Sequence, residues 1–174
     1  MPNIKSILNR DFNRTLPQIG VTVNNDEKRE KGEELLEGII NEGLQIKFEN
    51  QEAFDCWHKE KCYQILRLFN NDLNYKEFYY GHAQKWINMS FKYCLAIGEC
   101  VFPGILQIIN YLHVPIDNVI QDRLQKEYKI NRIAGPWSKI KDYDIYIYIS
   151  YQKEIRNRLN GKIPIIVEFE LFNE

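Results

Sequence analysis

The chain has 174 residues, 44% of them hydrophobic and 13% aromatic, with a net charge of −1. That length suits a single domain with its own core, residues 1–174, and that composition excludes a disordered chain. A near-neutral balance argues against a dedicated nucleic-acid binder, which is usually basic.

Residues 1–24 carry Pro2, Pro17 and Gly20 without a sustained period and read as an N-terminal arm, with a short extended piece at Val21-Thr22-Val23. Met1 to Gly20 lack the apolar core of a signal peptide, and no apolar run is long enough to cross a bilayer, so a cytoplasmic protein away from membranes is expected. Asn25 is placed to cap a helix from Asp26 to about Asn41, with Leu35, Leu36, Ile39 and Ile40 at helical spacing and Gly43 as its stop. Leu44 to Phe48 is open to either an extended piece or a linker. Asn50 caps a second helix, Gln51 to Phe69, whose apolar side includes Phe54, Trp57, Ile65 and Phe69. Cys56, His58 and Cys62 lie close in sequence, but a helix sets Cys56 about 200° from the other two, so packing is expected there and no metal. The four cysteines form two Cys-x5-Cys pairs and are expected to be reduced.

A turn at Asn70–Asn74 leads to the central helix, which begins near Tyr79 and runs to about Cys94. Ala83, Ile87, Ser90, Phe91 and Cys94 form its core stripe, and Lys85, Asn88 and Lys92 a second stripe. A short buried helix over about Gly104–Leu112 follows. In His113-Val114-Pro115-Ile116-Asp117 the proline disfavours helical geometry at Val114, and Asp117 stands as N-cap of a helix Asn118 to about Lys129. The last helix is expected from Trp137 or Ser138 to Leu159. Ile163 to Phe172, holding Pro164, reads as an extended tail within residues 163–174. The fold class is mostly α: an irregular bundle of about six helices with that extended C-terminal tail.

Glycine-rich phosphate loops, zinc-protease and nucleophile-elbow motifs are absent. What remains is a lysine on a half-buried helix and a capping aspartate 32 residues later. A deprotonated amine attacks a sugar C1′ or a carbonyl, and desolvation favours the neutral amine. A nearby carboxylate takes the proton or steadies developing positive charge. Residues 81–160 hold eleven Lys and Arg against seven Asp and Glu, enough for a modest positive face.

Gly81-His82-Ala83-Gln84-Lys85, with the later Val114-Pro115-Ile116-Asp117-Asn118-Val119-Ile120, resembles the catalytic core of the helix-hairpin-helix DNA glycosylases. The long gap between lysine and aspartate is most similar to the archaeal 8-oxoguanine glycosylase branch. The resemblance covers about 40 residues and implies that Lys85 is the Schiff-base nucleophile and Asp117 its partner. The chain departs from the family's usual hairpin glycines, offering only Gly81. Around this pair, Gln84, Asn88, Trp86, His113 and Trp137 are candidates for substrate binding, with the tryptophans placed to stack on an extruded base. Lys92 and Lys139 are candidates for backbone phosphates.

Each residue also has an ordinary role. Lys85 suits a solvated helix face, Asp117 a plain N-cap, His113 a helix end, and the two tryptophans core or rim packing. Two readings follow. One is a DNA glycosylase/lyase acting on damaged DNA without a cofactor. The other is a non-enzymatic helical module that binds a protein partner or assembles with itself through the ring-rich tail. They part on geometry: the first requires Lys85 and Asp117 to face one cleft within about 4–6 Å.

Overall fold

The computed structural model describes residues 9–16, 26–70 and 77–173. Among these, eight α-helices and two 3-10 turns follow one another: α1 (Arg10–Thr15), α2 (Asp26–Gln45), α3 (Gln51–Asn70), α4 (Tyr80–Ile97), α5 (Ile105–Ile108), α6 (Asn118–Tyr128), the turns Trp137–Lys139 and Asp142–Asp144, α7 (Ile145–Leu159) and α8 (Pro164–Asn173). No strand occurs among the described residues, in keeping with a mostly α chain. The expected extended piece at 21–23, the Asn25 cap and most of the 70–74 turn lie outside them.

α4 is the axis of the bundle. It packs against α1, α2, α3, α5 and the first 3-10 turn. Its core stripe is buried as the periodicity requires: Ala83, Ile87, Ser90, Phe91 and Cys94. Trp86 is 1% exposed and packs on Phe12, Phe78 and Phe69, with ring centroids 4.3, 4.7 and 5.5 Å away. Its indole Nε1 donates to Thr15 Oγ1 at 3.0 Å, which leaves this large ring with no unpaired polar atom. Asn50 caps α3 as read, accepting from Ala53 N at 2.9 Å.

Five expectations are corrected. The arm contains a helix, α1, which sends Phe12 into the core. α2 runs past Gly43 to Gln45. Gly43 is there for closeness: a Cβ would meet the rings of Phe91 and Trp57 at 2.7 Å each. The helix expected over 104–112 is a single turn, and the one expected from 137 begins regular α geometry only at Ile145, after two 3-10 turns. Residues 163–172 form no extended tail. Pro164 occupies the first position of α8, where its missing N–H costs nothing, and Ile165, Val167 and Leu171 are buried. α8 packs against both α6 and α7.

Gly81 settles how the second half meets the first. A Cβ there would lie 2.0 Å from the carbonyl oxygen of Trp137, so only glycine lets the 3-10 turn rest on the start of α4. Gly81 N donates to Ile140 O across the same contact.

Candidate functional site

Lys85 Nζ lies 2.6 Å from Asp117 Oδ2. The two side chains are 13% and 24% exposed, so both open on solvent but are mostly shielded. Asp117 divides its oxygens: Oδ2 takes Lys85, and Oδ1 accepts from Ile120 N at 2.9 Å to cap α6. The capping role and the pairing role, weighed as alternatives from the sequence, are held by one side chain.

Two glutamines fix the segment that delivers Asp117. Gln152 of α7 brackets Val114, accepting from its N–H at 3.1 Å and donating to its carbonyl at 2.8 Å. Gln84 of α4 brackets Ile116 in the same way, at 3.4 and 3.3 Å. Both glutamines are fully buried. A proline-containing segment forms no helix ladder there, and these amides satisfy its buried backbone groups instead.

Gln84 continues into a buried polar network. Asn88 Nδ2 donates to Gln84 Oε1 and to the Tyr148 hydroxyl, both at 2.9 Å, and its Oδ1 meets His58 Nε2 at 2.8 Å. Tyr148 also meets His113 Nδ1 at 2.8 Å, and His113 Nε2 meets Asp55 Oδ1 at 2.9 Å. Burial pushes His58 well below the usual histidine range, and the charge of His113 pushes the same way. Burial also lowers His113, against the pull of its Asp55 hydrogen bond.

The cleft beside Lys85 has a volume of about 360 Å³. α4 supplies Lys85, Met89, Lys92, Tyr93 and Ala96, which recur at i, i+4, i+7, i+8 and i+11 and so share one face. α1 adds Arg10, Asp11 and Arg14; the head of α6 adds Asp117; α8 adds Glu168, Phe169 and Phe172. Lys92 Nζ touches both oxygens of Glu168, at 2.8 and 2.6 Å, and lies 4.8 and 4.5 Å from the ring centroids of Phe169 and Phe172. Glu168 is 3% exposed, and burial holds its carboxyl above the usual carboxylate range despite Lys92. Tyr93 donates its hydroxyl to Asp11; burial and that bond push it above the usual phenol range.

The expected site residues thus separate. Lys85, Asp117 and Lys92 share the cleft. Gln84, Asn88 and His113 do not line it and are 0%, 2% and 1% exposed; they belong to the internal network. Asn88 sits about 60° around the helix from Lys85, enough to turn it into the core. Trp86 is a core ring. Trp137 is half-buried near His82 and Lys139 is exposed on the same 3-10 turn; neither lines the cleft. The residues not anticipated are Arg10, Asp11, Arg14, Met89, Tyr93, Ala96, Glu168, Phe169 and Phe172. Met89 and Tyr93 could have been found by extending the Lys85 face by one and two turns. α1 and α8 gave no such signal, because neither was read as a helix.

All four cysteines are free, and among the described residues no group of three His, Cys, Asp or Glu side chains could hold a metal ion. Among the same residues no helix is long and apolar enough to cross a membrane. No family model matches the chain, nor does any curated protein or solved structure.

Proposed function

We propose that the chain is a DNA base-excision glycosylase with lyase activity, with Lys85 as nucleophile and Asp117 as its proton partner. One observation carries the reading. An amine and a carboxylate 32 residues apart in sequence meet at 2.6 Å, mostly shielded, on the wall of a cleft whose volume falls in the range of small-molecule sites. The likeness of the Gly81–Lys85 and Val114–Ile120 stretches to the helix-hairpin-helix glycosylases selects DNA among the substrates that an amine can attack.

The chemistry follows from the pair. Asp117 Oδ2 takes a proton from the Lys85 ammonium, and the free amine attacks C1′ of the target nucleotide. The bond from C1′ to the base breaks, and the base leaves with its electron pair and a proton. Opening of the C1′–O4′ bond gives a C1′=N Schiff base with O4′ protonated. Loss of a C2′ proton then expels the 3′ phosphate. The Asp117 carboxylate also stabilises positive charge as it develops at C1′. Phe172, 56% exposed at the edge of the cleft, offers a ring for an unstacked base.

Borohydride reduction in the presence of duplexes carrying an abasic site or one of a panel of damaged bases tests this. A covalent protein–DNA adduct is expected that is lost in Lys85→Gln and formed more slowly in Asp117→Asn. Absence of an adduct with every substrate, from folded protein, ends the proposal. The alternative, a non-enzymatic module that binds a protein partner or assembles with itself, drew on the ring-rich stretch 163–172. That segment is the helix α8, which turns Ile165, Val167 and Leu171 into the core and leaves Phe172 56% exposed.

A further inference from the structure

We infer that Arg10 and Arg14 on α1 grip neighbouring phosphates of the strand whose nucleotide enters the Lys85 cleft. The inference rests on the reading of the cleft as a site for DNA and names the part of the chain that holds the polymer.

α1 is anchored in three ways that leave its arginines outward. Phe12 is 0% exposed in the core, Thr15 accepts from the Trp86 indole, and Asp11 accepts from the Tyr93 hydroxyl. Arg10 and Arg14 are both exposed, and both line the cleft that holds Lys85. Four residues apart on a helix, their Cβ atoms are about 5–6 Å from one another. Two guanidinium forks at that separation suit a ligand that repeats its anion once per residue, as a phosphodiester chain does.

Exposure sets these two apart from the other cations near the site. Lys92 is 7% exposed, the Lys85 side chain is 13% exposed, and Lys139 lies off the cleft. The cleft walls carry four cations and three carboxylates, so a broad positive field is not what would attract DNA. Contacts at a few phosphates must supply the attraction, and two phosphate contacts on duplex DNA predict a shallow salt dependence, a log–log slope of about −2.

The test is fluorescence anisotropy with a short duplex holding one tetrahydrofuran abasic analogue, which cannot form a Schiff base, titrated at several salt concentrations. Arg10→Ala/Arg14→Ala should weaken binding at low salt by about tenfold or more per arginine and reduce the magnitude of the slope by nearly 2. Arg10→Lys/Arg14→Lys should restore most of the slope, which separates charge from any effect on folding. Lys126→Ala/Lys129→Ala, exposed and away from the cleft, should change neither quantity. Binding with an unchanged slope in Arg10→Ala/Arg14→Ala overturns the inference, as does the absence of binding to this duplex. Arginine-dependent binding without a borohydride adduct would sustain it while removing the Lys85 chemistry. An adduct with an arginine-independent slope would do the reverse.

Discussion

Gln152→Leu is the sharpest test of how the candidate site is built. Leucine is close to glutamine in size, so packing changes little, but it removes both bonds to Val114, at 3.1 and 2.8 Å. Val114 is 1% exposed and Gln152 0%, so water does not replace either partner. Each stranded buried backbone group costs about 1–3 kcal/mol. The leucine recovers part of this because it carries no amide to desolvate, which leaves a net loss of about 2–4 kcal/mol. For a chain of this size each kcal/mol lowers Tm by roughly 2–4 °C, so a fall of roughly 5–15 °C is expected by circular dichroism. The second consequence is functional. The segment 114–116 would be held by Gln84 alone, through its two longer bonds, and Asp117 at its end would lose its fixed distance to Lys85. Borohydride trapping should therefore slow at temperatures where the variant is still fully folded. A stability change below about 0.5 kcal/mol together with unchanged trapping would refute the view that this glutamine fixes the aspartate.

Other expectations are equally direct. Lys92→Met leaves the Glu168 carboxyl, 3% exposed, without its cation and should cost about 3–5 kcal/mol; Lys92→Met/Glu168→Leu should recover most of it in urea unfolding, and equal instability of both variants would contradict the pairing. His58 and His113 titrate below 6.5 in the folded protein, so the unfolded chain binds more protons as pH falls. Stability should decline from pH 7 downward through 6.5, by up to about 1.4 kcal/mol per pH unit for each histidine, and a flat urea midpoint between pH 7 and 5.5 would contradict this. Removing residues 163–174 takes away Ile165, Val167 and Leu171, each contributing on the order of 1.5–3 kcal/mol by burial. The truncated chain should show a lower Tm and exposed apolar surface by dye binding, rather than a simple loss of self-association in an otherwise intact fold.

Much of α4 was legible because a helix with one buried stripe announces itself by spacing, and both tested caps, Asn50 and Asp117, are residue types whose short polar side chains bond nearby backbone N–H groups and so favour helix starts. The pairing of Lys85 with Asp117 was legible only as a condition to be met. The polar candidates misled for a physical reason. Gln84 and Asn88 look like surface residues by type, yet a bundle whose core contains a proline-containing segment must supply amides to that segment's backbone. The tail was misread because a continuous apolar run has no period to distinguish helix from strand, and Pro164 looks like a breaker unless it is taken as a first helical residue. Arg10 and Arg14 were hidden by the shortness of α1, a six-residue helix stabilised by tertiary contacts and not by its own sequence.

The far wall of the cleft comes from residues 164–173. A ribosome makes those residues after every other part of the site, including Lys85 and Asp117. A nascent chain thus carries its amine without the Glu168 and Phe172 surroundings until this segment has cleared the exit tunnel. The timing of synthesis itself keeps the cleft open on one side until its last wall is made.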